Sequence, residues 1–205
     1  MHLDNNMRLA ARAFARLAAC VIAGLVAGCA PKVETPSPAD LLLARQAGIA
    51  FDVRLKMEIV DRLEREEDPV AIYLAYRDHV PAYAREIGDR LGLEFSRVST
   101  RPRNPSNAAD EWEAEQMELF GFWREAGLDP LTMEASAIVK ENDKRVFRWM
   151  RPLVMEEPCM VCHGDAPNTR ILELLAQEYP LDEATGYYET EIGGAYSVSK
   201  VLTDK

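Results

Sequence analysis

Cys159-Met160-Val161-Cys162-His163 constrains this chain more than any other stretch. Two thiols three positions apart, followed at once by an imidazole, form the pattern of a c-type haem attachment site. The spacing has a chemical reason. One short turn lets both sulfurs form thioethers to the two haem vinyl groups, while the adjacent histidine reaches the iron from one face. Two other uses of such a pair compete. Dithiol exchange comes with a βαβ context that is not visible around it, and zinc needs two further ligands where His79 is the one other histidine beyond residue 28. Covalent haem ranks first, a dithiol redox site second and zinc third.

The N-terminus points to the same compartment. Arg8, Arg12 and Arg16 precede an apolar run from Leu17 to Gly28 that is too short to span a bilayer comfortably. Leu25-Val26-Ala27-Gly28 before Cys29 reads as a lipoprotein signal, cut ahead of a lipidated Cys29. Thioether attachment of haem also takes place outside the cytoplasm. The expected location is therefore the periplasmic side of a bacterial membrane, with the lipid as the sole membrane contact. The remaining 29–205 is of a size for one domain. Cys20 goes with the leader and Cys29 carries lipid, so Cys159 and Cys162 alone remain and no disulfide framework is available. The leader holds three Arg and one Asp, so the net charge of −10 becomes −12 without it. That balance argues against nucleic acid or anionic membrane as a binding surface and suits a basic protein partner.

Residues 29–38, with Pro31, Pro36 and Pro38, read as a flexible tether, and the domain runs over 39–205. Ser37-Pro38 and Asp68-Pro69 are helix-start signals. The first helix carries Leu42, Ile49, Val53, Met57, Val60 and Leu63 at helical spacing through about residue 66. The second carries Ile72, Tyr76, Val80, Tyr83, Ile87 and Leu91, with Gly92 as its stop and Pro81 as an expected kink. Two long helices joined by a short loop predict an antiparallel hairpin. Further on, the pattern predicts a strand over Phe95–Thr100, a helix over Asp110–Ala126 and strands over Met133–Lys140 and Lys144–Val154. The last two flank a turn at Glu141-Asn142-Asp143, and a helix near 168–178 and a strand over Gly194–Leu202 follow. The expected class is α+β, a helical hairpin beside an antiparallel sheet.

Four stretches carry a family resemblance: Arg97-Val98-Ser99-Thr100 leading to Arg103-Asn104-Pro105, Asn107 and Trp112-Glu113; Arg151-Pro152-Leu153-Val154 leading to the Cys159–His163 motif, Gly164 and Asp165; Tyr179-Pro180-Leu181-Asp182-Glu183-Ala184-Thr185-Gly186-Tyr187; and Ile192-Gly193-Gly194-Ala195-Tyr196-Ser197-Val198. In this order the chain resembles a bacterial and cyanobacterial family of c-type haem domains, the Tll-type haem-like domain, formerly a domain of unknown function. The resemblance implies a PAS-like sheet, one covalent haem c, and a role in redox sensing or electron transfer with a separate partner protein rather than an enzyme activity. In a characterised type of the family a Cys supplies the second axial ligand, and the position that would carry it is about Tyr76. No Cys stands there, so that ligand pair is not carried over.

His163 is the proximal ligand on the motif alone. For the opposite side of the iron the sequence offers His79, which shares a helix face with Tyr76 and Tyr83, and then Met57, Met117, Met133, Met150 or Met155. Tyr76 is a third choice and an open position a fourth. An open iron with a free distal base would instead suit a haem enzyme or a gas or peroxide sensor. Arg97, Arg101 and Arg103 have the planar donors that suit haem carboxylates. Trp112, Tyr187 and Tyr196 are candidates for the pocket lining.

Overall fold

Ser37 and Asp68 each start a helix by accepting backbone N–H bonds, from Asp40 at 3.1 Å and from Val70 at 2.9 Å, with proline next in sequence where its missing donor costs nothing. The computed structural model describes residues 34–203. The expected export signal at 1–28, the lipidation site Cys29 and most of the tether lie outside the described residues. Helix α1 (Pro38–Glu64) begins at the last residue assigned to the tether. Helix α2 (Pro69–Leu91) runs through Pro81 without a break and stops at Gly92, whose φ of 66° is the left-handed conformation glycine adopts freely. The two helices form the expected antiparallel hairpin. Arg54 pairs with Glu86 at 2.6 Å, and Glu58 accepts from the Tyr83 hydroxyl at 2.5 Å.

Strands β1 (Glu94–Val98), β2 (Ala135–Glu141), β3 (Lys144–Val154) and β4 (Ile192–Leu202) make one antiparallel sheet of order β1-β4-β3-β2. Asn142 and Asp143 have φ of 49° and 63°, the left-handed pair that joins β2 to β3 in a two-residue hairpin turn. Helix α3 (Glu111–Glu125) lies between β1 and β2 in sequence and is started by a capping box of Asp110 and Glu113. The attachment motif holds a single helical turn, α4 (Met160–His163), and α5 (Thr169–Glu178) follows. The expected strand after Gly92 is shorter than predicted because Ser99 leaves the sheet and pairs with Ala108.

The sheet has two dressed faces. Phe95, Phe147, Trp149, Tyr196 and Val198 face the helical hairpin. Val98, Met150 and Ala195 face α3 and its buried Phe120. The apolar stripe read along α1 is not the buried one. Leu42, Ile49, Val53, Met57 and Val60 are exposed, and Ala44, Ala47, Gly48, Phe51 and Leu55 pack inward instead. Small residues won this choice for a steric reason. A Cβ on Gly48 would stand 3.1 Å from the Trp149 ring, so the indole needs a side of the helix without bulk.

Candidate functional site

A cavity of about 360 Å³ opens between the hairpin, β1 with its following loop, and the attachment segment. Cys159, Cys162 and His163 all line it. The single turn of α4 explains how, since positions i, i+3 and i+4 share one side of a helix. Both cysteines are free, partly buried thiols, and burial pushes both up from the ordinary thiol pKa.

His163 is oriented by one bond. Its Nδ1 lies 2.7 Å from the carbonyl oxygen of Ala184. A carbonyl can only accept, so Nδ1 carries the proton and Nε2 keeps its lone pair. Burial and the nearby Arg103 charge push the imidazole down to about 3, so the ring is neutral at physiological pH. A neutral imidazole whose other nitrogen donates to a carbonyl is the usual state of a metal-binding histidine.

The carbonyl that orients His163 belongs to a segment held from two sides. Gly186 and Tyr187 donate to the carbonyls of Gly164 and His163 at 2.8 and 3.0 Å. Arg101 donates to the carbonyls of Glu183 at 3.1 Å and Thr185 at 2.5 Å, and its guanidinium lies over the Tyr187 ring at 4.3 Å. Arg103 donates through Nη2 to Cys162 at 2.7 Å and Ala184 at 3.3 Å, and pairs through Nε with Asp182 at 3.1 Å. These two arginines, candidates for haem carboxylates, line the cavity, yet four of the five hydrogen bonds just described go to backbone carbonyls. Sequence reasoning missed that use because the acceptors are main-chain carbonyls, which no residue type announces. The run from Tyr179 to Tyr187 was the available signal.

Arg97 differs. It lines the cavity, donates to the Tyr76 hydroxyl and lies between the Tyr76 and Phe51 rings, 5.2 and 5.8 Å from their centres. Tyr76 is therefore on the cavity wall, carried by α2.

His79 is not. Its side chain is 48% exposed and its Nδ1 meets Glu58 at 2.7 Å, on the flank of the hairpin away from the cavity. His79 does share its helix face with Tyr83, whose ring centre lies 6.1 Å away and whose hydroxyl also bonds Glu58, but that stretch of the face packs along α1 and not over the cavity. Changing His79 to alanine should leave the absorption spectrum of the mature protein unchanged and alter stability by less than about 1 kcal/mol, as for other exposed pairs. A change of spin state would contradict this placement. Of the methionines among the described residues, Met155 alone lines the cavity, packed under Gly193, while Met57 is exposed and Met133 and Met150 are buried on the α3 side of the sheet. Met117 is half-buried there as well. Trp112 and Tyr196 belong to the two cores, and the Tyr196 hydroxyl bonds Asp52 at 2.6 Å. Tyr187 packs against the His163 ring at 6.4 Å. Among the described residues no group of three or more His, Cys, Asp or Glu gathers as a metal site, and no helix is long and apolar enough to cross a membrane.

No curated protein sequence matches this chain. Among solved structures it is similar to the crystal structure of the cyanobacterial heme-protein Tll0287, with a TM-score of 0.62 and 18% identity. The match covers 83% of this chain and 99% of that one, and at this identity it speaks for the fold: α+β, with a four-stranded antiparallel sheet and N-terminal helices. A sequence model of the Tll0287-like family matches residues 39–200, nearly the whole described domain, and the chain belongs to that family.

Proposed function

We propose that this chain holds one haem c through Cys159 and Cys162, with His163 as an axial ligand, and carries electrons or reports redox state to a partner protein without turning over a substrate. The observation that carries the reading is the placement of both thiols and a neutral, carbonyl-oriented His163 on the wall of one cavity. A bound haem supplies one-electron chemistry at its iron. The rest is the work of this chain. The Ala184 carbonyl holds the imidazole tautomer that leaves Nε2 free, and Arg97 brings a cation and Tyr76 an oxygen to the wall. The raised thiol pKa values disfavour the competing dithiol role, since exchange-active pairs have lowered ones. The similarity to a haem protein supports the same ligand here. The leader and Cys29 support export and a lipid anchor on the periplasmic side, and the acidic balance supports a basic partner.

Intact-mass measurement on protein from a haem-competent host tests the proposal. Wild type should carry the mass of one porphyrin, and the Cys159→Ala/Cys162→Ala double variant should lose all covalent haem. A colourless wild type would sink it. The exclusion of His79 from the cavity favours a second reading, an open iron position that takes a small gas or peroxide. A reduced spectrum that shifts with carbon monoxide supports that reading, and an indifferent one removes it.

A further inference from the structure

The segment 183–185 presents three successive carbonyls, and each accepts from an arginine of the loop after β1. Glu183 and Thr185 take Nε and Nη2 of Arg101, and Ala184 takes Nη2 of Arg103. The middle oxygen does double duty. It accepts Nδ1–H of His163 at 2.7 Å and Nη2–H of Arg103 at 3.3 Å. The same Arg103 nitrogen reaches the carbonyl of Cys162 at 2.7 Å, so one guanidinium group ties the attachment turn to the carbonyl that orients its histidine. Asp182 completes the clasp, taking Nε of Arg103 at 3.1 Å and the backbone N–H of Ala184 at 2.9 Å.

From this arrangement we infer that Arg101 and Arg103 are positioning residues for His163, and that Arg103 also raises the reduction potential of the site by sharing the Ala184 oxygen. The inference rests on His163 ligating a haem iron. A strong acceptor on Nδ1–H makes an imidazole a more basic ligand, which favours the oxidised metal. An oxygen that already accepts from a guanidinium is a weaker acceptor, so the imidazole is less basic and the reduced metal gains. Asp182 offsets part of the Arg103 charge, and what remains acts in the same direction as the shared hydrogen bond, since a nearby cation also disfavours the oxidised metal. Lysine cannot replace it, because an ammonium lacks the fork that reaches a carboxylate on one side and two carbonyls on the other.

The test is a spectroelectrochemical titration of haem-loaded Arg103→Gln, Arg103→Lys and Arg101→Gln. Arg103→Gln should shift the midpoint downward by more than the scatter between replicate titrations, with Arg103→Lys between it and wild type. Arg101→Gln, at an exposed site that tolerates change, should widen the axial-ligand signals in electron paramagnetic resonance, the mark of a less fixed imidazole plane. A folded, haem-bearing Arg103→Gln with an unchanged or higher midpoint overturns the inference. Should that variant fail to mature, an unbroadened Arg101→Gln spectrum overturns it instead. A merely structural role would lower the unfolding temperature without moving midpoint or linewidth. Failure of the underlying reading is distinct: wild type would carry no covalent haem by mass.

Discussion

Trp149→Ala is expected to lower the stability of the domain by about 4 kcal/mol, a large share of the 5–15 kcal/mol that holds a typical domain folded. Trp149 is fully buried at the centre of the face between sheet and hairpin. Its ring fills the space left by Gly48 on α1, and its Nε1 donates to Glu134 at 3.1 Å. That carboxylate also pairs with Arg45 of α1, so the indole connects sheet and helix twice. Truncation leaves a void that neither the backbone of α1 nor β3 can close, and it removes a donor from Glu134. Equilibrium unfolding in denaturant measures the loss. A change below about 1.5 kcal/mol would mean that the hairpin collapses onto the sheet, contrary to a close-packed core.

The second large effect lies on the opposite face. Arg148 is buried, stacks over Trp112 at 4.7 Å and pairs with Asp110 at 2.7 Å, Glu113 at 3.0 Å and Glu141 at 3.2 Å. Glu113 is equally buried and also accepts from the Ser197 hydroxyl at 2.6 Å and the backbone N–H of Asp110 at 2.9 Å. Arg148→Met keeps the volume but strands the Glu113 carboxylate, at an expected cost of about 3 kcal/mol. Adding Glu113→Gln should recover part of that, because a neutral amide removes the stranded charge while its oxygen can still accept from Ser197 or Asp110. Thermal unfolding of the two single variants and the double completes the cycle. Simple additivity would show that the two side chains do not depend on each other.

The elements written in local chemistry were legible. Ser37-Pro38, Asp68-Pro69, Gly92 and the Glu141-Asn142-Asp143 turn each act within a few residues, so their bonds can be read before the fold is known. The attachment motif is of the same kind, since one helical turn is enough to bring Cys159, Cys162 and His163 together. The buried face of α1 was not legible. Its sequence is apolar on two sides, and the bulkier stripe of Leu42, Ile49, Val53 and Met57 lost to small residues that let Trp149 approach. The place of His79 was not legible either. Tyr76 reaches the cavity, while His79 one turn further on stands beside Tyr83 and pairs with Glu58 of α1, and residue type does not record how far along a helix face a cavity extends.

The amino-acid sequence alone determined which segments become helices and strands, which turn bears the two sulfurs, and which imidazole stands beside them. Tertiary structure decided what surrounds that imidazole: that Ala184, 21 positions away, orients it, and that Arg101 and Arg103 hold Ala184 in place. The physical reason is range. Caps, turns and one-turn motifs are short-range hydrogen-bond and steric effects, whereas the orientation of His163 depends on backbone carbonyls that become acceptors for it only once distant segments are packed together.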